Sequence, residues 1–226
     1  AELNPSAVGR EVSQRRPHQA PGAQLAYLKG RYMWNKRTER DLRASIEEFR
    51  RALEIDPGLA LAHAGLADAH ILLGIWGLES SHSAFRAARQ AAERAIELDA
   101  GLAEAHASLA EVLKDYDFDW PAAEKEFKRA IAINPNCSTA HHFYAQLLVS
   151  LSRFEEAAEQ IELARRVDPL SAAINAYVPY IYLAARDYQR AVAEGQRAVE
   201  LEPDSPLARW QLGRAWLFRQ CGVVGY

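Results

Sequence analysis

Glu54-Ile55-Asp56-Pro57 closes a run of mixed apolar and charged residues, and the same kind of ending recurs four more times. The others are Glu97-Leu98-Asp99-Ala100, Ala132-Ile133-Asn134-Pro135, Arg166-Val167-Asp168-Pro169 and Glu200-Leu201-Glu202-Pro203, with last residues 43, 35, 34 and 34 positions apart. Pro cannot continue a helix and restricts the residue before it, so each tetrad predicts a helix end followed by a fixed turn. A period of this length holds two short helices, a unit that cannot bury its apolar face alone and must stack on copies of itself.

The residues between the tetrads keep the same phase. With the prolines at position 32 of each repeat, position 27 is Ala52, Ala95, Ala130, Ala164 and Ala198, and position 20 is Ser45, Ala88, Ala123, Ala157 and Ala191. Position 8 is Gly30, Ala67, Ala110, Ala145 and Gly213, with Pro179 as the exception, and position 24 is Phe49, Ala92, Phe127, Ile161 and Gly195. Small residues at fixed phase mark the places where two antiparallel helices approach closely, and an ordinary helical bundle would show neither the period nor the repeated Ala. This pattern resembles the tetratricopeptide repeat (TPR) family over about residues 24 to 218. The resemblance implies an all-α, right-handed superhelical solenoid of antiparallel helix pairs. It contains about five full repeats, near 23–59, 60–102, 103–137, 138–171 and 172–205, plus a partial sixth at 206–220, so that a flexible linker over 1–22 precedes a repeat domain over 23–226.

Local signals agree with these boundaries. Ser152-Arg153-Phe154-Glu155 reads as a capping box opening a helix, Asp187 as the cap of the equivalent helix one repeat later, and Ser205-Pro206 as an N-cap with Pro at the first helical position. Repeat two departs from the period: Gly74 to Ser83 is expected to lengthen the turn between its helices by nine residues. Asn35 to Asp41 is a smaller insertion in repeat one, and Pro179 predicts a kink. The sixth repeat lacks a second helix, which leaves Leu212 and Trp216 as candidates for an uncovered, self-associating surface that would make a homodimer.

Composition limits the function classes. Hydrophobic residues are 49% and charged residues 25%, with 27 basic against 30 acidic side chains and a net charge of -3, so no basic footprint for nucleic acid or an anionic membrane is expected. The most apolar stretch, His70 to Leu78, is far below the roughly 20 residues that span a bilayer. Cys137 and Cys221 have no CxxC spacing and read as thiols of a reducing, cytoplasmic compartment.

Candidates for chemistry are few. His63, His106 and His141 all fall at position 4 of their repeats and read as structural, and no HExxH or matching carboxylate completes a metal site. Ser80, Ser81 and His82 form the one local serine–histidine group; a hydrolase using that loop is the enzymatic alternative, but no GxSxG elbow accompanies it. Neither GxxxxGK[ST] nor GxGxxG occurs, so no nucleotide cofactor is expected. Lys29, Arg31, Lys36, Arg37, Arg40 and Arg43 read as a solvated basic face.

The TPR resemblance implies a concave groove lined by positions 2, 5, 9 and 12 of each first helix. The groove residues singled out on that basis are Tyr27, Arg31, Trp34, Asp68, Glu104, Glu111, Lys114, His142, Gln146, Tyr180, Trp210 and Arg214. Aromatic anchors among isolated charges suit a protein or peptide segment. The pattern departs from TPR modules that grip a chaperone's terminal carboxylate, since Tyr27, Arg31, Ala64 and Asp68 stand where those carry Lys and Asn. Ala26 to Thr38, Gly65 to Ala69, Ala103 to Ala110 and Thr139 to Ala145 are similar to the TPR regions of multidomain bacterial signalling and transcriptional regulators. The expectation is therefore a non-catalytic interaction scaffold of such a protein.

Overall fold

The computed structural model describes residues 20–222. Among them are eleven helices: α1 (Pro21–Asn35), α2 (Glu39–Ile55), α3 (Ala60–Ile75), α4 (Ser81–Leu98), α5 (Ala103–Asp115), α6 (Trp120–Ile133), α7 (Ser138–Ser150), α8 (Phe154–Val167), α9 (Ala172–Ala184), α10 (Tyr188–Leu201) and α11 (Pro206–Gly222). The described residues contain no strand. Each odd-numbered helix from α1 to α9 packs on the even-numbered helix that follows it and on the odd-numbered helix of the next repeat. The result is a solenoid of helix pairs. Helix α1 already begins at Pro21, while residues 1–19 of the expected linker lie outside the described residues.

Burial separates an inner from an outer layer. Helix α7 buries eight of its thirteen residues, whereas α8 buries three of fourteen, so first helices are covered on two sides and second helices on one. The small residues sit where close approach requires them: positions 20 and 27 are no more than 3% exposed in every repeat. Phe49 shows why. A Cβ added to Gly30 on α1 would lie 2.5 Å from its ring edge, and one added to Gly65 on α3 would lie 2.6 Å away, so two glycines of neighbouring first helices admit one aromatic.

The turns are held by their own side chains. Asp56, Asp99 and Asn134 each accept the backbone N–H two residues on, at 2.9–3.0 Å, which fixes the turn between repeats. From the next helix, position 4 reaches back six residues: His63, His106 and His141 donate through Nε2 to the carbonyls of Pro57, Ala100 and Pro135, and Asn175 Nδ2 donates to Pro169. These histidines therefore serve the turns. Within repeats, Arg37, Phe118, Ser152 and Arg186 all take the left-handed conformation, with φ between 55° and 61°, at the residue before the N-cap of the second helix.

Three expectations need correction or refinement. Ser152 is not an N-cap: it is one of those left-handed residues, and α8 starts after Arg153 without a side-chain cap. Its amide instead donates to Val149 and that of Arg153 to Leu148, closing α7. Asp187 and Ser205 do cap, accepting from Arg190 and Ala208. The insertion in repeat two goes mainly into helix rather than turn, with α3 and α4 at 16 and 18 residues against 13 and 14 for α5 and α6. Ala-rich sequence after Ser81 extends α4 and sets Phe85 against Gly74, so only Trp76 to Ser80 remain as turn. Helix α9 continues through Pro179. Leu212 is not uncovered, since it packs on the core against Gly195 of α10, while Trp216 is 39% exposed.

Candidate functional site: the inner face and its mouth

The groove residues expected from the sequence fall on the odd-numbered helices α1, α3, α5, α7, α9 and α11. The inside is largely filled by the chain itself. Trp34, Asp68, Glu111, Lys114 and His142 are each no more than 6% exposed, so they form a polar interior rather than the floor of an open groove. Tyr27, Arg31, Glu104, Gln146, Tyr180 and Arg214 are half-buried, and Trp210 stands out at 58% exposed.

Buried polar groups demand partners, and most of these have them. Arg31 Nη1 donates to Asp68 Oδ2 at 2.7 Å, and the Ser108 hydroxyl donates to Asp68 Oδ1 at 2.6 Å, joining repeats one, two and three. Lys114 Nζ lies 2.7 Å from Glu111 and 3.4 Å from Asp115. Burial pushes the Glu111 carboxyl up to about 8 even though Lys114 pulls it down. Gln146 Nε2 donates to His142 Nε2 at 3.1 Å. Burial, with help from the positive charges of Arg37 and Lys114, holds His142 well below its ordinary value, so the ring stays neutral.

Toward the C-terminal end the lining becomes aromatic. The rings of His142 and Tyr177 are 4.8 Å apart and those of Tyr177 and Tyr180 6.2 Å apart, and the Arg214 guanidinium sits over Trp210 at 4.6 Å and Tyr180 at 5.8 Å. At the other end Arg31 and Arg37 stack on Trp34 at 4.4 Å and 3.6 Å. The superhelix brings these ends toward each other. A cleft of about 500 Å³ separates Tyr32, Lys36 and Arg37 from Asp168, Leu170, Glu202 and Leu207, and a smaller cavity of about 40 Å³ adjoins it between α1, α7 and the start of α9.

Arg37, Asp168 and Tyr177 were missed as site residues, and Arg37 leaves the solvated face expected for it, because periodicity assigns faces within a repeat and not contacts across several repeats. The left-handed φ of 55° at Arg37 directs the chain into this position. Ser80, Ser81 and His82 are the N-cap and first turn of α4 rather than a loop, and His82 Nδ1 is hydrogen-bonded to the Tyr116 hydroxyl at 2.7 Å, not to a serine. Among the described residues no group of three His, Cys, Asp or Glu side chains is placed to hold a metal, and no helix is long and apolar enough to cross a membrane.

Stacked helix pairs around a polar inner face define a solenoid of the tetratricopeptide type. Residues 119–175 match the family model for the tetratricopeptide repeat. A thermophilic TPR protein of Thermus thermophilus superposes with a TM-score of 0.67 at 18% identity, covering 86% of this chain and 99% of that one. Human IFIT1, in a dimer structure with m7Gppp-AAAA, superposes with a TM-score of 0.71 at 19% identity, covering 88% of this chain and 47% of IFIT1. At these identities the likeness is one of fold. No curated protein sequence matches the chain.

Proposed function

We propose that this chain is a non-catalytic scaffold that holds a segment of a protein partner at the mouth of its superhelix. The observation that carries this reading is the stripe of Tyr177, Tyr180, Arg214 and the exposed Trp210, a cluster of the residue types that dominate binding energy at protein interfaces. A protein partner suits the surface better than nucleic acid, because 27 basic side chains are outnumbered by 30 acidic ones. The similarity of Ala26 to Thr38 and of three later segments to TPR regions of bacterial regulators supports a place in the cytoplasmic signalling machinery of a bacterium.

The test is affinity capture with wild-type protein and with a Tyr180→Ala, Trp210→Ala, Arg214→Gln variant whose folding is verified by circular dichroism. A protein held by the wild type and lost by the folded variant supports the reading; the same proteins retained by both would move binding off this stripe. A second reading, homodimerisation, rests on the exposed Trp216, Leu217 and Phe218 of α11. Sedimentation equilibrium would show mass rising with concentration for the wild type and not for Trp216→Ser, Phe218→Ser; a constant monomer mass would remove it.

A further inference from the structure

The smaller cavity of about 40 Å³ is lined by two side chains with donors that the fold leaves unanswered. Trp34 is 3% exposed, and its Nε1–H has no hydrogen-bond partner among the described residues. Arg37 Nε is likewise buried and unpartnered, and its guanidinium, stacked at 3.6 Å on the Trp34 indole, forms no ion pair among the described residues. Both side chains line the same cavity. Arg31, the neighbouring cation, is already answered by Asp68.

A buried donor without a partner costs stability, and the half-buried Arg37 guanidinium, whose Nε is shut off from solvent, has only the more distant Asp68 and Glu111 to offset its desolvation. Burial accordingly pushes the Arg37 guanidinium down to about 10, with Arg31 adding to the penalty. The residue is set there by the left-handed turn conformation that Phe118, Ser152 and Arg186 take at the same point of their repeats. Two N–H donors on a flat, cationic wall match a planar, singly charged oxyanion. The opposite wall decides between anions. Asp168 lines both the cavity and the outer cleft, and Glu202 and Asp204 line the cleft beside it, so a polyanion would be repelled, whereas a carboxylate with a cation next to it would meet complementary charge on both walls.

We propose that the cavity between Trp34, Arg37 and Thr139 binds the carboxylate of an acidic side chain in a partner peptide, with a basic neighbour of that side chain lying against Glu202 and Asp204. The proposal rests on the scaffold reading for its peptide, but it concerns a different set of residues from the Tyr180–Trp210 stripe. It places the partner's acidic residue at the seam between the first repeat and the fourth and fifth.

The site has its own reporter, the Trp34 indole N–H, observable by ¹⁵N–¹H correlation NMR and assigned from the resonance missing in Trp34→Phe. The probe is the capped peptide acetyl-Ala-Glu-Lys-Ala-amide, titrated at constant ionic strength beside its Glu-to-Gln counterpart and inorganic phosphate. The expected result is a saturable shift of that one resonance with the Glu peptide, weakened about tenfold or more with the Gln peptide and in Arg37→Gln. The peptide comparison needs no variant, so an unfolded Arg37→Gln would not obscure it. No shift at millimolar Glu peptide, an equal shift with the Gln peptide, or a stronger response to phosphate would each overturn the proposal. A partner still captured through the Tyr180–Trp210 stripe in that event would leave the scaffold reading standing.

Discussion

Gly65→Ala and Gly213→Ala make the same chemical change in two helices and should have opposite effects. Each replaces glycine inside a helix, which by propensity alone stabilises by about 1 kcal/mol. Around Gly213 nothing lies within 4 Å of the added Cβ, so that gain should appear undiminished. At Gly65 the new methyl would stand 2.6 Å from Phe49 Cε1 and 2.7 Å from Cζ, roughly 1 Å inside the usual carbon–carbon contact. The ring cannot retreat easily: it is fully buried, an added Cβ on Gly30 would meet its same edge at 2.5 Å, and Tyr27 flanks it with centroids 6.0 Å apart. Overpacking of this kind costs about 1–3 kcal/mol. Gly65→Ala should therefore come out neutral to about 2 kcal/mol destabilised, and the two variants should differ by about 1–3 kcal/mol. Urea denaturation followed by circular dichroism measures both. Trimming the ring with Phe49→Leu should shrink the penalty of Gly65→Ala, giving a coupling between the two sites. If Gly65→Ala stabilises as much as Gly213→Ala, the two glycines are not there to admit Phe49.

Acid should weaken the fold through His142, whose folded form resists protonation because it is buried beside Arg37 and Lys114. The unfolded chain takes up a proton below its ordinary value of 6.5 and the folded chain does not, so stability present above that pH is lost as pH falls, by about 1.4 kcal/mol per pH unit for this residue. His142→Gln should flatten the pH dependence of urea stability by one proton's slope; parallel curves for variant and wild type would refute the neutral ring. Phe118→Gly should be neutral to about 1 kcal/mol stabilising in thermal denaturation, since the residue is 72% exposed with φ 57° and a left-handed L-residue is strained. A clear loss of stability would show that its side chain matters more than its backbone. Burial pushes the Cys137 thiol up to about 12, while Cys221 is exposed, so a disulfide reagent at neutral pH should titrate one thiol in the native protein and two in urea. Two fast thiols in the native state would mean that the α7 N-terminus opens.

The repeat architecture was legible because close packing leaves no choice of residue where helices touch. Ala52, Ala95, Ala130, Ala164 and Ala198 recur at one phase, and all five are buried. Turn chemistry was less legible. Ser152 stands in a capping-box pattern, but Arg153 occupies the N-cap and the serine takes the left-handed position, because closing α7 through Leu148 and Val149 competes for the same residues. Around Trp76 the glycines signalled a long loop, and good helix formers on either side drew most of the insertion into α3 and α4. The site was half visible. Which side chains face inward follows from the period within one repeat. How near Arg37 comes to Asp168 follows from small rotations summed over several repeats, and no single stretch of sequence encodes that sum.

The reach-back of position 4 has a mechanical consequence. His63, His106, His141 and Asn175 each tie a repeat to the turn that delivers the chain into it, so four of the five junctions carry their own fastening and none of these depends on a distant segment. Pulled from one end, such a chain should yield junction by junction at similar forces, and a recombination event that adds or removes one period should bring or take away a complete fastening with it. Length can then drift over generations without the remaining joints having to be redesigned.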